Sequence, residues 1–183
     1  MPKNRLREAI KKKLDLQSKE EGFRKSLKIS KRLFALKEFK RAKVIMFYAT
    51  KDGEVETRQM IEKAKILGKK VLIPHINQKT KRMLAYEVKD MDKELHIGPY
   101  GIQQPKRENK KPVGVKSIDL VVVPGIAFGQ DGQRLGRGGG YFDRFLKKLP
   151  KKTLKVGLAF NFQIIKDIPL FSHDVPVDLV LSA

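Results

Sequence analysis

The sequence predicts an α/β protein, a three-layer α/β/α sandwich around a mostly parallel central sheet. Three observations lead there. Short apolar runs rich in β-branched residues recur at 43–49 (KVIMFYA), 71–74 (VLIP), 120–123 (LVVV) and 154–160, with helical periodicity between the first two. A strand, a helix and a strand at that separation make a right-handed crossover and a parallel pair. The third run stops at Pro124-Gly125 and feeds a loop rich in glycine and arginine, with a helix start near Gly140; this is how α/β proteins commonly hold phosphate groups.

Taken in order, Leu6, Ile10 and Leu14 recur at helical spacing across residues 3–17 and mark an amphipathic helix. Ser18, with Glu21 three positions on, reads as a capping box that opens a second helix. Phe23, Leu27, Ser30 and Phe34 are expected to line one of its faces, with Leu33 beside them. After the first strand come an Asp52-Gly53 turn and Glu54-Val55-Glu56-Thr57. Thr57 is placed to cap a helix carrying Met60, Ile61, Ala64 and Leu67, and Gly68 to end it. The second strand is 71–74 and another follows at 83–88. Across 90–116 glycine and proline break every pattern; the charged part, 106–111, reads as mobile, whereas 98–105 is tight enough to approach a ligand. Beyond the central loop lie a strand at 154–160, an ambiguous segment at 163–168 and a last strand at 177–181.

The chain of 183 residues fits one domain with a sizeable core, and a 40% hydrophobic share agrees with a globular protein. With no cysteine, disulfides, zinc–cysteine sites and thiol catalysis are excluded. No apolar stretch is long enough to span a bilayer, and the N-terminal residues lack the apolar core of a secretory signal, so a cytoplasmic protein is expected. The net charge of +21 raises the alternative of a basic nucleic-acid-binding domain without catalytic activity. The basic residues are spread end to end, however, and no RNA-recognition, zinc-finger or basic-zipper pattern is present. A solvated surface with a preference for anionic small ligands is the better reading.

Familiar motifs fail in the central loop. The dinucleotide fingerprint G-x-G-x-x-G breaks at Tyr141, three positions after Gly138, and no P-loop pattern exists. What remains is Arg134-Leu135-Gly136-Arg137-Gly138-Gly139-Gly140-Tyr141. Glycines let backbone N–H groups approach phosphate oxygens, a helix N-terminus favours negative charge, and Arg134 and Arg137 can add bidentate bonds. Asp143, in the first helical turn, either stabilises the helix dipole or binds Mg²⁺ beside phosphates. Tyr141 is equally a packing or a site residue. His75, His96 and His173 lack metal-ligand spacing, and no G-x-S-x-G elbow exists.

The stretch PGIAFGQDGQRLGRGGGYFDRFL resembles the signature of the 5-formyltetrahydrofolate cyclo-ligase (5,10-methenyltetrahydrofolate synthetase) family. Supporting elements follow in family order: Lys3-Asn4-Arg5-Leu6-Arg7, Glu54-Val55-Glu56-Thr57, the strand ending at Pro74, the pattern of Gly98, Gly101-Ile102 and Pro105, and the tail from Gln163 through His173-Asp174 to Asp178. The resemblance implies a single domain of the NagB/ribose-isomerase type. It also implies ATP- and Mg²⁺-dependent conversion of 5-formyltetrahydrofolate to 5,10-methenyltetrahydrofolate with release of ADP and phosphate.

Carried over by position, Lys3, Asn4, Arg5, Leu6 and Arg7 would contact ATP, and Arg134, Leu135, Gly136, Arg137, Gly138, Gly139, Gly140, Tyr141 and Phe142 would form its phosphate loop. Arg137 and Tyr141 would be catalytic. Ala49, Glu54 and the segment from Arg137 to Tyr141 would border the folate, and Asp143 and Asp174 would bind Mg²⁺. The implied partners are small molecules, ATP and the folate with or without a polyglutamate tail, and a monomer is expected. The chain departs from the family pattern at Gly129, Gln104, Phe142 and Phe171.

Overall fold

The computed structural model describes residues 2–51 and 53–183; of the expected Asp52-Gly53 turn, Asp52 lies outside that description, as does Met1. Three helices open the chain: α1 (Lys3–Leu16), α2 (Lys19–Ala35) and α3 (Lys37–Arg41). They are followed by β1 (Val44–Met46), α4 (Arg58–Ile66), β2 (Lys70–Asn77), β3 (Arg82–Glu87), α5 (Met91–Glu94), β4 (Leu95–Ile97) and β5 (Gln103–Pro105). The second half holds β6 (Leu120–Val123), β7 (Ala127–Phe128), β8 (Arg134–Leu135), α6 (Tyr141–Leu146), β9 (Leu154–Ala159) and β10 (Leu179–Ser182).

The central sheet has the order β10-β9-β6-β1-β2-β3, parallel throughout except for antiparallel β3 at one edge. Both faces of the sheet are covered, so near-continuous apolar runs define its inner strands. Side chains alternate between two core layers. Ile45, Val71, Ile73, Leu120, Val122 and Val156 face the layer built by α1, α2 and α4, where Leu6, Ile10, Ile29, Leu33 and Ile61 meet them. Met46, Leu72, Val121 and Val123 face the other side with Phe128, Phe145 and Leu146. The sandwich is lopsided: three long helices lie on one side, and the six-residue α6 on the other.

The chain runs from β1 through α4 to β2 on one side of β1, and later returns through β6 on the other. The carboxyl ends of β1 and β6 therefore form a topological switch point, where open α/β sheets leave a crevice. Asp119 fixes this junction. Its Oδ2 accepts the N–H groups of Lys43 and Val44 at 2.8 and 2.9 Å, tying the start of β1 to the start of β6.

Several sequence expectations change. In α2 the buried stripe is Ser26, Ile29 and Leu33, while Phe23 and Leu27 are exposed. Ser26 is tolerated inside because its hydroxyl donates to the Gly22 carbonyl at 2.8 Å and accepts the Glu56 N–H at 2.9 Å. Thr57 sits at the N-cap position of α4 but makes no side-chain cap; its buried hydroxyl donates to the Tyr48 carbonyl at 2.6 Å instead. Leu67 is exposed. The segment 106–111 is tied down, since the Lys106 N–H bonds the Glu94 carbonyl at 2.8 Å and Lys110 pairs with the Glu94 carboxylate. Of the ambiguous segment 163–168, Gln163 closes a 3₁₀ turn begun at Asn161 and Ile164 makes an isolated bridge to Phe128, and the last strand starts two residues later than expected, at Leu179.

Gly157 on β9 lies under the Phe128 ring, and a Cβ there would stand 2.5 Å from Cε1 of that fully buried side chain. Gly157→Ala should therefore overpack the layer, destabilising the fold by about 1–3 kcal/mol. A urea melt of this variant checks the expectation; an unchanged midpoint would mean that Phe128 can move aside freely.

Candidate active site

A cleft of about 1020 Å³ opens at the switch point, a size suited to small-molecule substrates. Its floor comes from the chain just beyond β1 (Tyr48, Ala49), from β2 (Pro74, Ile76) and from the turn after β6 (Pro124, Gly125). Burial pushes the Tyr48 phenol well above its usual range, so it remains neutral; its hydroxyl donates to the Val55 carbonyl at 3.0 Å.

The glycine–arginine loop enters the cleft from a small antiparallel ladder that pairs Phe128 with Arg134 and Ala127 with Leu135. The ladder gives the two arginines different situations. Arg134 is only 4% exposed. Its Nη2 donates to Asp143 Oδ1 at 2.7 Å, and the guanidinium lies over the Phe142 ring, 5.9 Å from its centroid. Its Nε has no hydrogen-bond partner among the described residues. Arg137 is exposed on the loop, and Nη2 and Nε donate to Glu54 Oε1 at 2.9 and 3.2 Å. Gly140 carries φ +65° at the α6 N-cap, a left-handed conformation suited to glycine. Because α6 has six residues, its dipole is small, and the positive field at this loop comes mainly from side chains.

Helix α1 supplies more of that charge. Lys3 and Arg7, one turn apart, both line the cleft, as does Asn4. Arg7 braces the loop, donating from Nε to the Gly136 carbonyl at 2.8 Å and from Nη1 to Asn4 Oδ1 at 2.6 Å. Lys3 Nζ donates to Asp174 Oδ2 at 2.5 Å and sits 4.0 Å from the Phe171 ring centroid. Burial tends to raise the Asp174 pKa, but the Lys3 bond, the Phe171 amide and the Lys3 and His173 charges outweigh it, and the carboxyl is held below its ordinary 3.8. Asp143 Oδ1 accepts a second bond from the Val175 N–H at 3.0 Å, so the two carboxylates are joined through adjacent residues of the tail.

Of the sequence-derived candidates, Lys3, Asn4, Arg7, Ala49, Glu54, Arg134, Gly136 to Phe142, Asp143 and Asp174 all line the cleft. Arg5, Leu6 and Leu135 do not. Leu6 and Leu135 are core residues and Arg5 points away on the exposed side of α1. The cleft also recruits Lys51 and Tyr100, which the sequence did not single out, and Ile102 and His173, which it offered as parts of the family pattern without a site role. The tightness of 98–105 was the available signal for Tyr100 and Ile102; Lys51 had none. Tyr100 meets Tyr141 edge-on, with ring centroids 6.3 Å apart. Their hydroxyls interact, which lowers the Tyr100 pKa and raises that of Tyr141. Among the described residues no group of three or more His, Cys, Asp or Glu side chains could hold a metal by itself, and no helix is long and apolar enough to cross a membrane.

The model of the 5-formyltetrahydrofolate cyclo-ligase family matches residues 1–183. A probable 5-formyltetrahydrofolate cyclo-ligase of Caenorhabditis elegans is 34% identical, covering 98% of this chain and 91% of the relative. The Mus musculus 5-formyltetrahydrofolate cyclo-ligase is 32% identical over 98% of this chain and 92% of its own. The solved 5,10-methenyltetrahydrofolate synthetase of Aquifex aeolicus superposes with a TM-score of 0.86 at 34% identity, covering 100% of this chain and 90% of that one. The corresponding enzyme from Mycoplasma pneumoniae superposes at 0.80 with 26% identity, covering 99% and 98%.

Because the folded-state pKa of Asp174 is depressed, its contribution to stability is present above the unfolded value near 3.8 and is lost as pH falls through the folded value. Asp174→Asn should therefore melt below the wild type at neutral pH, and the gap should close in acid. Thermal melts across that range check this; a gap of constant size would show that the Lys3 pair does not set the difference.

Proposed function

The chain belongs to the 5-formyltetrahydrofolate cyclo-ligase family, and on that premise we propose that its cleft uses ATP to convert 5-formyltetrahydrofolate to 5,10-methenyltetrahydrofolate, releasing ADP and phosphate. One observation carries this reading. A single cleft gathers cations suited to phosphate (Lys3, Arg7, Arg137) and, within 2.9 Å of one of them, the Glu54 carboxylate suited to the N–H donors of a pterin.

The chemistry explains why both are needed. A formyl oxygen is a very poor leaving group. Phosphorylating it gives an iminium phosphate, N10 attacks the activated carbon, and phosphate departs as N10 loses its proton. The task is positioning and charge neutralisation, because little covalent work falls to the protein. Arg137, presented on the loop, stabilises charge on the transferring phosphoryl group. Arg7 holds the loop at Gly136 while it and Lys3 contact the nucleotide. Arg134 lies too deep to be presented and braces Asp143. Tyr141, with its pKa raised, stays a neutral hydrogen-bond donor beside the folate.

A hard divalent cation fits the donor set. Asp143 commits Oδ1 to Arg134 and Val175, and Asp174 commits Oδ2 to Lys3 and Phe171, so each carboxylate keeps a second oxygen outside those pairings. Mg²⁺ commonly binds one or two carboxylates together with substrate phosphates. Asp143 and Asp174 would hold it there, and bound Mg²⁺ would neutralise phosphate charge. The net charge of +21 suits anionic substrates, with or without a polyglutamate tail. The proposal includes a monomer that works in the cytoplasm; every residue given a role above comes from one chain.

Incubation with 5-formyltetrahydrofolate, ATP and Mg²⁺ should produce a methenyl absorbance that depends on all three, and its absence would refute the reading. Arg137→Ala should lower kcat by roughly 100-fold while changing ATP affinity only a few-fold, as expected for a group acting mainly in the transition state. Equal losses in both would make Arg137 a binding residue.

A further inference from the structure

The turn between β4 and β5 carries Tyr100 and Ile102 into the cleft, and its two ends are held by different means. The base of the hairpin is pinned to β2: His75 Nδ1 bonds the Pro105 carbonyl at 3.1 Å, and Gln104 Oε1 accepts the Ile76 N–H at 3.0 Å. The tip is pinned from the opposite wall. Lys51 Nζ donates to the Tyr100 carbonyl. The Lys51 backbone is itself fixed to the reacting side of the cleft, its N–H bonding Glu54 Oε2 at 3.1 Å and its carbonyl accepting from Arg137 Nη2 at 3.4 Å. One residue thus touches the hairpin tip and both members of the Arg137–Glu54 pair. Tyr100 has φ +60°, a conformation that non-glycine residues rarely hold without surrounding support. The support here is the Lys51 bond and the edge contact with Tyr141.

We infer that Lys51 is a positioning residue, a latch that holds the Tyr100 turn over the reacting centre and keeps water from the phosphorylated intermediate; this rests on the reaction proposed above. The intermediate needs such protection because two nucleophiles compete for one carbon. When N10 attacks, the bond from carbon to the phosphate oxygen breaks, N10 releases its proton and the methenyl product forms. When water attacks the same carbon, that bond also breaks and a proton is released, but 5-formyltetrahydrofolate is regenerated. The second course consumes ATP and water, yields ADP and phosphate, and leaves the folate unchanged. Closing an active site is a general means of suppressing such hydrolysis. Lys51 lies between the first strand and the Glu54 segment, its backbone bonded to Glu54 and Arg137 and its ammonium to the Tyr100 carbonyl.

The test compares the full chain with Lys51→Met and Lys51→Arg. Wild type should release close to one ADP per methenyl formed; Lys51→Met should release several, and Lys51→Arg, which keeps a cationic donor, should stay near the wild type. A Lys51→Met ratio equal to that of the wild type would overturn the coupling role. A second measurement needs no turnover. The amides of Gly98, Gly101 and Ile102 are bonded within the turn, and their hydrogen exchange in Lys51→Met should speed up by roughly tenfold while the central sheet is unchanged. Equal exchange in the two proteins would overturn the latch. If wild type made no methenyl product, the reaction reading would fall, and the exchange measurement would still decide whether Lys51 holds the turn.

Discussion

The cleft depends most on the buried pair between Arg134 and Asp143. The Arg134 side chain is 3% exposed and cannot turn to solvent for compensation, while Asp143, 15% exposed, reaches it from the cleft lining. Removing Asp143 would leave the Arg134 guanidinium charged and buried, a loss that typically costs about 3–5 kcal/mol. The pair joins three pieces of chain. Arg134 belongs to the short β7–β8 ladder, Asp143 to the first turn of α6, and through the Val175 N–H the same carboxylate holds the tail beside Asp174. The glycine loop spans the first two of these pieces, so its shape follows from their separation. Phe142 covers the guanidinium and adds apolar packing to the polar anchor.

Around this anchor the charges are cross-connected. Arg137 meets Glu54 from the β1–α4 connection, and Lys3 meets Asp174 from the tail. Each contact links residues far apart in sequence, and each joins a group suited to phosphate with one suited to a pterin or a cation. On the proposed reading, anionic substrates would compete with carboxylates already in place, which would work against indiscriminate binding of polyanions. The net charge of +21 would favour the approach of anions, and the paired geometry would then select among them.

Much of the fold was legible because its strands are buried on both faces. Runs such as Leu120-Val121-Val122-Val123 leave little choice of structure, and the spacing between the first two strands leaves little choice of connection. Legibility failed where burial was won by hydrogen bonds rather than by apolar character. Ser26, not Phe23 or Leu27, shares the core face of α2 with Ile29 and Leu33, and its hydroxyl finds two backbone partners there. The β4–β5 and β7–β8 ladders are two or three residues per strand, too short to show a period of two. In the site, the motif and its resemblance located the loop and both carboxylates. They did not separate a buried Arg134 from a presented Arg137, since that difference rests on the β7–β8 ladder and on contacts with Asp143 and Glu54. Lys51 was invisible because its partner, the Tyr100 carbonyl, is a backbone group 49 positions away.

The account turns on one covalent event, transfer of the ATP γ-phosphoryl group to the formyl oxygen. The most direct measurement uses 5-formyltetrahydrofolate labelled with heavy oxygen in the formyl group, ordinary water and Mg²⁺–ATP, with the released phosphate analysed by mass. The account predicts one heavy oxygen in the phosphate for each methenyl formed. Unlabelled phosphate, with the heavy oxygen lost to water, would contradict it.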